Sequence, residues 1–380
     1  MSGLAFVAGG RLHVVDEQGS ARPLDSTFAD SVRDRAQEIH RKHSWKGEGS
    51  QGGFGALAWG RQPTGPPSVN ARLTGLSRAP QPGQILYSLE VDRLTAVCAS
   101  DPATGTERRL LHGSKTRLRD VCARPDRDEV VCAMQHPDGT ASIALMSREA
   151  GDLRQVTEGE SLDLCPSWAD DGTPRIAYQS AGLGRDAQGR AAGYGRFEIH
   201  VLDLQRGEVE TVAADPDCDL ERPRIGPDGA LYYLSRPHTG ARTSVVGMVK
   251  DFLLFPVRLL FAVFQYLNFF SARYTGKPLT TAGGPQRKAG DLRRMLEWAN
   301  LVDAQQRGDD DTGGIPATHR LVRRRAAGGP EVIASGVACF DVAADGSVVY
   351  ATGSEIRRLT VDGRTEKVCP AEAVETVVAL

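Results

Sequence analysis

Paired strand patterns with a turn between them recur along this chain of 380 residues. Residues 162–180 read as an apolar run, the turn Asp171-Gly172 and a second run, and residues 219–235 repeat this order around Asp228-Gly229. A third copy carries Asp345-Gly346, and a fourth, near residue 126, replaces its glycine. Aspartate and glycine both tolerate the positive φ angles of a type I′ turn, so each copy predicts a β-hairpin. The chain is therefore built from repeats.

Each copy continues into a second hairpin, for example at residues 197–212 and 355–368. Four strands per unit is the make-up of a propeller blade. The segment from Pro166 to Gly172, with Trp168 at its centre, resembles the repeat of TolB-like (WD-repeat-like) propellers, which are related to those of Tricorn-type and prolyl oligopeptidase proteins. The resemblance is strongest over residues 118–235 and from residue 338 onward, and it implies an all-β fold.

Counting the units predicts a six-bladed β-propeller. Five blades occupy residues 54–113, 121–159, 165–214, 223–335 and 338–370. The sixth is assembled from both ends of the chain, with strands at residues 4–7, 12–15 and 21–24 and a last strand within 374–380. Such N- and C-terminal strand closure ties the ring and covers the strand edges of an open sheet.

Two short segments depart from the repeat. Residues 25–52 predict a helix that begins at the N-cap Ser26 and places Phe28, Val32, Ala36 and Ile39 on one face, before a glycine-rich end. Residues 61–83, rich in proline, glycine and arginine, predict a loop in the second blade.

The third departure is an α-helical insertion in the fifth blade, residues 238–318, which separates propeller residues 1–237 from 319–380. Six of the chain's eleven phenylalanines lie in it, between residues 252 and 270. Residues 245–273 are largely apolar, with polar residues that include Lys250, Asp251, Arg258, Gln265, Asn268 and Ser271. On a helix, Asp251, Arg258 and Gln265 form one narrow seam and leave a wide apolar face. Residues 291–307 predict a second, amphipathic helix.

The apolar helix is the predicted contact surface of the protein. A single membrane span is excluded because the strands flanking the insertion pair within one blade, and the second helix is too polar and short to return through a bilayer. Three alternatives remain: docking onto another protein, binding in a membrane interface, or packing against the propeller. The predicted contact residues are Phe252, Phe255, Arg258, Phe261, Phe264, Tyr266, Phe269 and Phe270.

The search for catalytic, cofactor-binding and metal-binding residues predicts none. The chain has no Gly-x-Ser-x-Gly motif, so the resemblance to prolyl oligopeptidase does not extend to its hydrolase domain. His40 and His43 fit a solvated basic helix face better than a metal site, and residues 215–221 lack the glycine turn and distal glutamate of an EF-hand. Trp168 and Tyr178 are predicted to pack between blades.

A basic cluster, Arg320, Arg323, Arg324 and Arg325, predicts a solvent-facing strand, with contact to phosphate or an acidic partner as the alternative. The overall charge is −2, from 46 basic and 48 acidic residues, which gives no general basis for binding nucleic acid. Seven scattered cysteines indicate reduced thiols, and the N-terminal residues lack the pattern of a secretory signal. We therefore expect a cytoplasmic protein, with membrane association if the apolar helix binds lipid.

The predicted function is a non-enzymatic scaffold for protein–protein interaction, with the inserted helices as the docking element and an unidentified protein as the partner. Resemblance to TolB-type proteins implies interaction through the faces of the propeller, without their periplasmic role. One alternative is a peripheral membrane adaptor held by the phenylalanine-rich helix. Another is an enzyme or small-ligand binder that uses the central channel, which would require titratable side chains to cluster at one channel mouth.

Overall fold

A computed structural model describes residues 3–16, 19–35, 38, 71–91, 94–114, 116–147, 152–185, 191–238, 314–326 and 328–380. These residues form strands and one helix, α1, at residues 27–35. The strands are β1 Leu4–Ala8, β2 Arg11–Val15, β3 Ala21–Leu24, β4 Ala71–Arg78, β5 Ile85–Val91, β6 Leu94–Asp101, β7 Thr106–Gly113, β8 Arg117–Ala123, β9 Glu129–Gln135, β10 Ala141–Ser147, β11 Leu153–Gln155, β12 Ser161–Trp168, β13 Arg175–Arg185, β14 Ala191–Tyr194, β15 Glu198–Asp203, β16 Glu208–Ala213, β17 Cys218–Ile225, β18 Leu231–Pro237, β19 Arg320–Arg324, β20 Pro330–Ser335, β21 Cys339–Val342, β22 Val348–Ala351, β23 Glu355–Leu359, β24 Thr365–Pro370 and β25 Val374–Ala379.

The strands form five sheets, four of which have four strands each, in the orders β25-β1-β2-β3, β4-β5-β6-β7, β17-β18-β19-β20 and β21-β22-β23-β24. The fifth sheet has nine strands and contains two further antiparallel groups, β8-β9-β10-β11 and β12-β13-β15-β16, with β14 added beside β13. A single parallel pairing, Ala141 with Leu162, joins the two groups. This all-β architecture of several antiparallel sheets is consistent with a β-propeller.

One strand of each group contacts its counterpart in the next group. We call β4, β8, β12, β17, β21 and β25 the inner strands, because they touch one another in that order and β25 then touches β4. Side chains from neighbouring groups pack together to form the hydrophobic core. Trp168 and Tyr178 are buried against Val131 and Ile143 of the preceding group, which confirms their predicted place in the core.

The first and last strands of the chain lie in one sheet, as the sequence predicts. β1 pairs antiparallel with β25, with Leu4 opposite Ala379. The backbone N–H of Gly10 also donates to the Glu375 carboxylate at 2.9 Å. The N-terminal hairpin thus completes its sheet with the C-terminal strand.

The Asp-Gly turns lie at the predicted positions but are not of the predicted type. Gly172, Gly229 and Gly346 have φ angles of 80°, 73° and 83°, whereas the aspartates before them are absent from the residues with positive φ. At Gly229 the N–H donates to the Gly226 carbonyl at 2.9 Å, and the Gly226 N–H donates to Ala230. At Gly229 and Gly346 the glycine is the fourth residue of the turn, which gives a three-residue hairpin loop in place of type I′. The loop around Gly172 is longer, because the Ala169 N–H donates to the Arg175 carbonyl at 2.9 Å.

Residues 71–78, predicted as part of a loop, form β4. The composition of the segment suggested a loop, but Leu76 is buried and Leu73 packs beside it against Ile85 and Tyr87 of the next strand. The predicted start of this blade near residue 54 lies outside the described residues.

Helix α1 begins as predicted. The Ser26 hydroxyl accepts the Ala29 N–H at 3.2 Å, which is an N-cap contact. Phe28 is buried in the core between β1, β2 and the β4–β6 strands, and Val32 packs beside it. Apart from residue 38, the rest of the predicted helix, including Ala36 and Ile39, lies outside the described residues.

The strands on either side of the predicted insertion pair with each other. β18 ends at Pro237 and β19 begins at Arg320, with Ser235 opposite Arg320. Residues 239–313, which include both predicted helices, lie outside the described residues. Within the described part of the chain, no helix is both long and apolar enough to cross a bilayer.

Candidate functional site at the inner strands

Three inner strands carry the same backbone irregularity. Asp120 in β8, Cys165 in β12 and Arg222 in β17 have φ angles of 53°, 51° and 53°, and the pairing register of each strand shifts at this point. A left-handed conformation costs a residue with a side chain about 1–2 kcal/mol, so surrounding contacts must stabilise it. The inner strands are therefore bulged at equivalent positions of the repeat.

Side chains of neighbouring groups satisfy the polar backbone atoms near these bulges. The Cys165 N–H donates to the Asp120 carboxylate at 3.2 Å, and the Arg222 N–H donates to the Gln179 side-chain oxygen at 2.8 Å. The Ser167 hydroxyl donates to the Pro223 carbonyl at 2.8 Å. These bonds connect β8 to β12 and the β12 group to β17, and they hold the bulges in place.

Charged side chains reach across the centre of the inner strands. Arg78, at the end of β4, pairs with Asp170, which follows β12, although β8 lies between these strands in the order of contacts. Arg222 of β17 likewise donates to Thr376 of β25 at 3.4 Å, past the intervening β21. A contact between strands that are not neighbours must pass through the central space. Arg224 and Asp341 add a third pair, at 3.1 Å, between β17 and β21.

We call the set Arg78, Asp170, Arg222, Arg224, Asp341 and Thr376 the central cluster. Burial raises the pKa of Asp170, and this effect outweighs the opposing attraction of Arg78. Burial alone would lower the pKa of Arg224, but the negative charge of Asp341 raises it instead. The cluster therefore holds desolvated charges that are stabilised chiefly by each other.

The thiols beside the cluster are protonated at neutral pH. Burial raises the pKa of Cys165 to about 12 and that of Cys339 to about 11, and it also raises that of Cys122. Because the thiolate is the nucleophilic form, these cysteines are poorly suited to covalent catalysis.

A cavity of about 430 Å³ lies where several inner strands end. Pro80, Pro125 and Pro227, each from the turn after an inner strand, contribute to its wall, together with Ala344. The Arg78–Asp170 pair also lines it, and the two side chains are 24% and 15% exposed. The cavity thus combines stiff apolar walls with one fixed ion pair.

Comparison with known structures identifies the fold. No protein-family model matches the chain, and no curated protein matches it. The solved structure of TolB from Acinetobacter baumannii matches with a TM-score of 0.52 at 11% identity, over 99% of this chain and 66% of that one. A chain in the crystal structure of a nidogen/laminin complex matches with a TM-score of 0.52 at 7% identity, over 100% of this chain and 99% of that one. The fold is that of a TolB-like propeller.

The chain spans 66% of the length of the TolB structure, just under two thirds. An oligogalacturonate lyase in complex with manganese is also similar, with a TM-score of 0.39 at 13% identity, over 63% of this chain and 57% of that one. The likenesses to TolB and to the nidogen/laminin chain concern the fold alone, and a propeller fold does not decide whether a protein is an enzyme.

The residues predicted as a contact surface, from Phe252 to Phe270, lie outside the described part of the TolB-like propeller, as do His40 and His43. Three residues of the basic cluster lie on β19, and Arg325 follows it. Arg323 pairs with Glu331 at 2.8 Å, and Arg324 donates to the Val212 carbonyl. At least part of this cluster is therefore used in contacts between strands of the propeller itself.

The acidic run at residues 215–221 also makes internal contacts. Asp219 accepts the Phe197 N–H at 2.9 Å and lies 2.9 Å from Nδ1 of His238. Across the residues that the structure describes, no group of three or more His, Cys, Asp or Glu side chains is arranged to hold a metal ion.

The central cluster was not identified by the sequence reasoning. Arg222 and Arg224 flank Pro223 at the positions where the aligned copy has Cys165 and Ser167. The presence of two arginines in one strand of the repeat is the feature of the sequence that could have indicated this cluster. Their partners are far away in the sequence, as Asp341 is 117 positions after Arg224, and only the structure of the propeller places them together.

Proposed function

We propose that this protein is a six-bladed TolB-like propeller that acts as a non-enzymatic scaffold and binds another protein at the mouth of its central space. The blade count is supported by the six strand groups and by the cyclic order in which their inner strands touch. The cavity at the ends of these strands is the observation that carries the proposed binding role.

The cavity suits an anchor residue of a protein partner. Its volume of about 430 Å³ accommodates one or two large side chains, and interfaces obtain most of their affinity from a few such anchors. Because proline is rigid, the walls of the cavity lose little conformational entropy when a partner binds. The similar chain from the nidogen/laminin complex was crystallised in a protein–protein complex, which supports protein binding as a use of this fold.

An enzymatic role for the central cluster is less well supported by the chemistry. The cluster supplies the titratable side chains that such a role requires, but Asp170 and Asp341 are each paired with an arginine, and the adjacent thiols have raised pKa values. These features stabilise fixed charges rather than a nucleophile or a general base.

The inserted segment remains a second proposed contact. Its phenylalanines would dock onto the same partner or lie in a membrane interface, and the latter would make the protein a cytoplasmic, membrane-associated adaptor. The proposal rests on the sequence pattern of residues 252–270 and on the pairing of β18 with β19, which returns the chain to one sheet.

The cavity is tested by filling it. Ala344 is exposed and lines the cavity, so Ala344→Trp should block it without disturbing the core. Val209, 51% exposed on β16 and not part of the cavity lining, provides the matched control Val209→Trp. In pull-downs from the source cell, we expect the wild type and the control to retain the same partner protein and Ala344→Trp to lose it. Equal capture by all three proteins would reject the cavity as the binding site.

The insertion is tested separately. Phe261→Glu combined with Phe264→Glu should leave the propeller folded and abolish partner capture if the apolar helix is a docking element. Flotation with anionic liposomes, comparing the intact chain with one in which residues 240–316 are replaced by a Gly-Ser linker, distinguishes lipid binding. Flotation of the intact chain alone would favour the membrane adaptor, and flotation of neither protein would argue against it.

A further inference from the structure

Arg222 differs from the other arginines on or near the inner strands in its pairing. Arg78, Arg224 and Arg236 each pair with a carboxylate, Arg224 and Arg236 at 3.1 Å. Arg119 lies 3.2 Å from its neighbour Asp120. For Arg222, the contact found among the described residues is a hydrogen bond to the Thr376 hydroxyl at 3.4 Å, and no described carboxylate lies within 4.0 Å.

Arg222 nevertheless lies deep among the inner strands. Its backbone is in β17, and its guanidinium reaches Thr376 in β25, past the intervening β21. Its side chain remains half-buried rather than fully enclosed, so solvent reaches it. A guanidinium carries five N–H donors, and among the described residues one hydrogen bond from Arg222 to a protein acceptor is found, to Thr376.

The other arginines near Arg222 are paired with carboxylates. Arg119 faces Asp120, Arg236 faces Glu221 and Arg224 faces Asp341, so these six side chains are balanced in pairs. Arg222 is the one of these four arginines without a carboxylate within 4.0 Å among the described residues. Because solvent still reaches its side chain, the unbonded donors of Arg222 are open to water, and an anion that displaces this water can bind them directly.

We propose that Arg222 binds the carboxylate group of a small monovalent organic anion in the central space of the propeller. A carboxylate accepts two parallel N–H bonds from a guanidinium, and the Thr376 hydroxyl supplies a further donor beside it. A phosphate dianion fits less well, because Asp120 and Glu221 are near enough to act on Arg222 and would repel a second negative charge.

The backbone places this guanidinium before any ligand arrives. Arg222 is held in a left-handed conformation with φ of 53°, and its N–H is bound to Gln179. A side chain that is positioned in advance loses less entropy on binding.

The anion site is separate from the cavity at the strand ends. Arg222 precedes Pro227, which lines that cavity, by five residues, or about 16 Å along an extended strand. The two sites can therefore be tested independently, and Ala344→Trp should leave anion binding unchanged.

The test is an NMR titration of the intact chain labelled with ¹⁵N-arginine, using sodium acetate as the probe at constant ionic strength. We expect one Nε–Hε resonance to shift with saturation, and the same resonance to be missing in Arg222→Gln. Thr376→Val should weaken acetate binding a few-fold, and Arg222→Lys, which keeps the charge but loses the planar fork, by about tenfold. These weaker affinities can be measured through the resonances of neighbouring arginines.

Arg364→Gln is the control, since Arg364 is 80% exposed and pairs with the exposed Asp362. It should not alter the response to acetate. If Arg222→Gln does not fold, Thr376→Val and Arg222→Lys still identify the resonance. The proposal is overturned if the Arg222 resonance does not respond, if it responds no more than the exposed arginines, or if inorganic phosphate binds it more tightly than acetate.

Discussion

At the scale of single residues, the turn aspartates show how one side chain stabilises a hairpin. Asp345 accepts the N–H of Ser347 at 2.8 Å and its hydroxyl at 2.6 Å, and the hydroxyl bond is the main reason that the pKa of Asp345 is lowered. Asp171 makes the same pair of contacts with Thr173. The repeated aspartates therefore close the turns with their side chains.

The lowered pKa gives a pH-dependent prediction. A carboxyl group whose pKa is lowered on folding stabilises the protein above the pKa of the unfolded chain, near 3.8, and loses that contribution as the pH falls through the folded value. Ser347→Ala should therefore lower the free energy of unfolding by about 1 kcal/mol at pH 7 and by less at pH 3.

Urea unfolding at the two pH values measures this difference. Ser354→Ala, at an exposed position in the following turn, is the matched control and should have little effect at either pH. An equal loss for Ser347→Ala at both pH values would mean that packing, and not the ionised carboxylate, accounts for the effect.

Gly75 gives a steric prediction at the same scale. A Cβ atom at this position of β4 would lie 2.7 Å from the backbone nitrogens of Asp120 and Val121, which cannot move as a flexible side chain can. Gly75→Ala should lower the unfolding free energy by about 1–3 kcal/mol. Gly113→Ala, where the added Cβ meets no atom within 4 Å, should be nearly neutral in the same thermal unfolding assay. Similar melting temperatures for both variants would show that β4 and β8 can separate slightly.

At the scale of secondary-structure elements, one carboxylate of the propeller forms hydrogen bonds with the N-terminus of α1. Glu107 of β7 accepts the backbone N–H groups of Thr27 and Phe28 at 3.0 and 3.1 Å, and the Tyr87 hydroxyl at 2.7 Å. A negative charge at a helix N-terminus is favourable, because the free N–H groups there carry partial positive charge. Glu107 thus orients the helix and satisfies a buried tyrosine.

Glu107→Gln should release this helix selectively. The amide keeps the shape of the side chain but loses the charge, so we expect a loss of about 1–2 kcal/mol. Hydrogen exchange should show faster exchange of the amides in residues 27–35 than in the strands. Glu210→Gln, on the exposed face of β16, is the control. Uniformly faster exchange across the propeller would contradict a local role.

The elements also show which parts of the fold are readable from the sequence. The hairpins around Asp171 and Asp228 and the cap of α1 depend on residues close together in the chain, and they were predicted. β4 was predicted as a loop, because its burial depends on strands that the local composition does not reveal. The bulges at Cys165 and Arg222 were also missed, since their bonding partners belong to other repeats.

At the scale of the whole molecule, stability depends on the pairing of β1 with β25. Removing residues 371–380 would expose the edge of β1 and the buried side chains of Leu4 and Phe6, which pack against Val377. We expect this truncation to lower the melting temperature and to cause aggregation, measured by size-exclusion chromatography.

A circular permutant distinguishes the effect of losing β25 from the effect of where the chain begins and ends. The Leu380 N–H donates to the Gly3 carbonyl at 2.8 Å, so a short linker can join these residues, with new ends in the turn at Thr104. The permutant should melt close to the wild type, because it retains every strand. A large loss of stability in the permutant would show that the order of the strands along the chain matters.

The same pairing has a consequence for synthesis in the cell. Gly10 and Glu375, which are bonded in the folded protein, are separated by 365 positions in the chain. At about 5–20 residues per second, a ribosome needs roughly 20–70 s to make the intervening chain. During that time β1, β2 and β3 have no fourth strand to complete their sheet. The nascent N-terminal hairpin must therefore remain unpaired, or be shielded by a chaperone, until translation is almost finished.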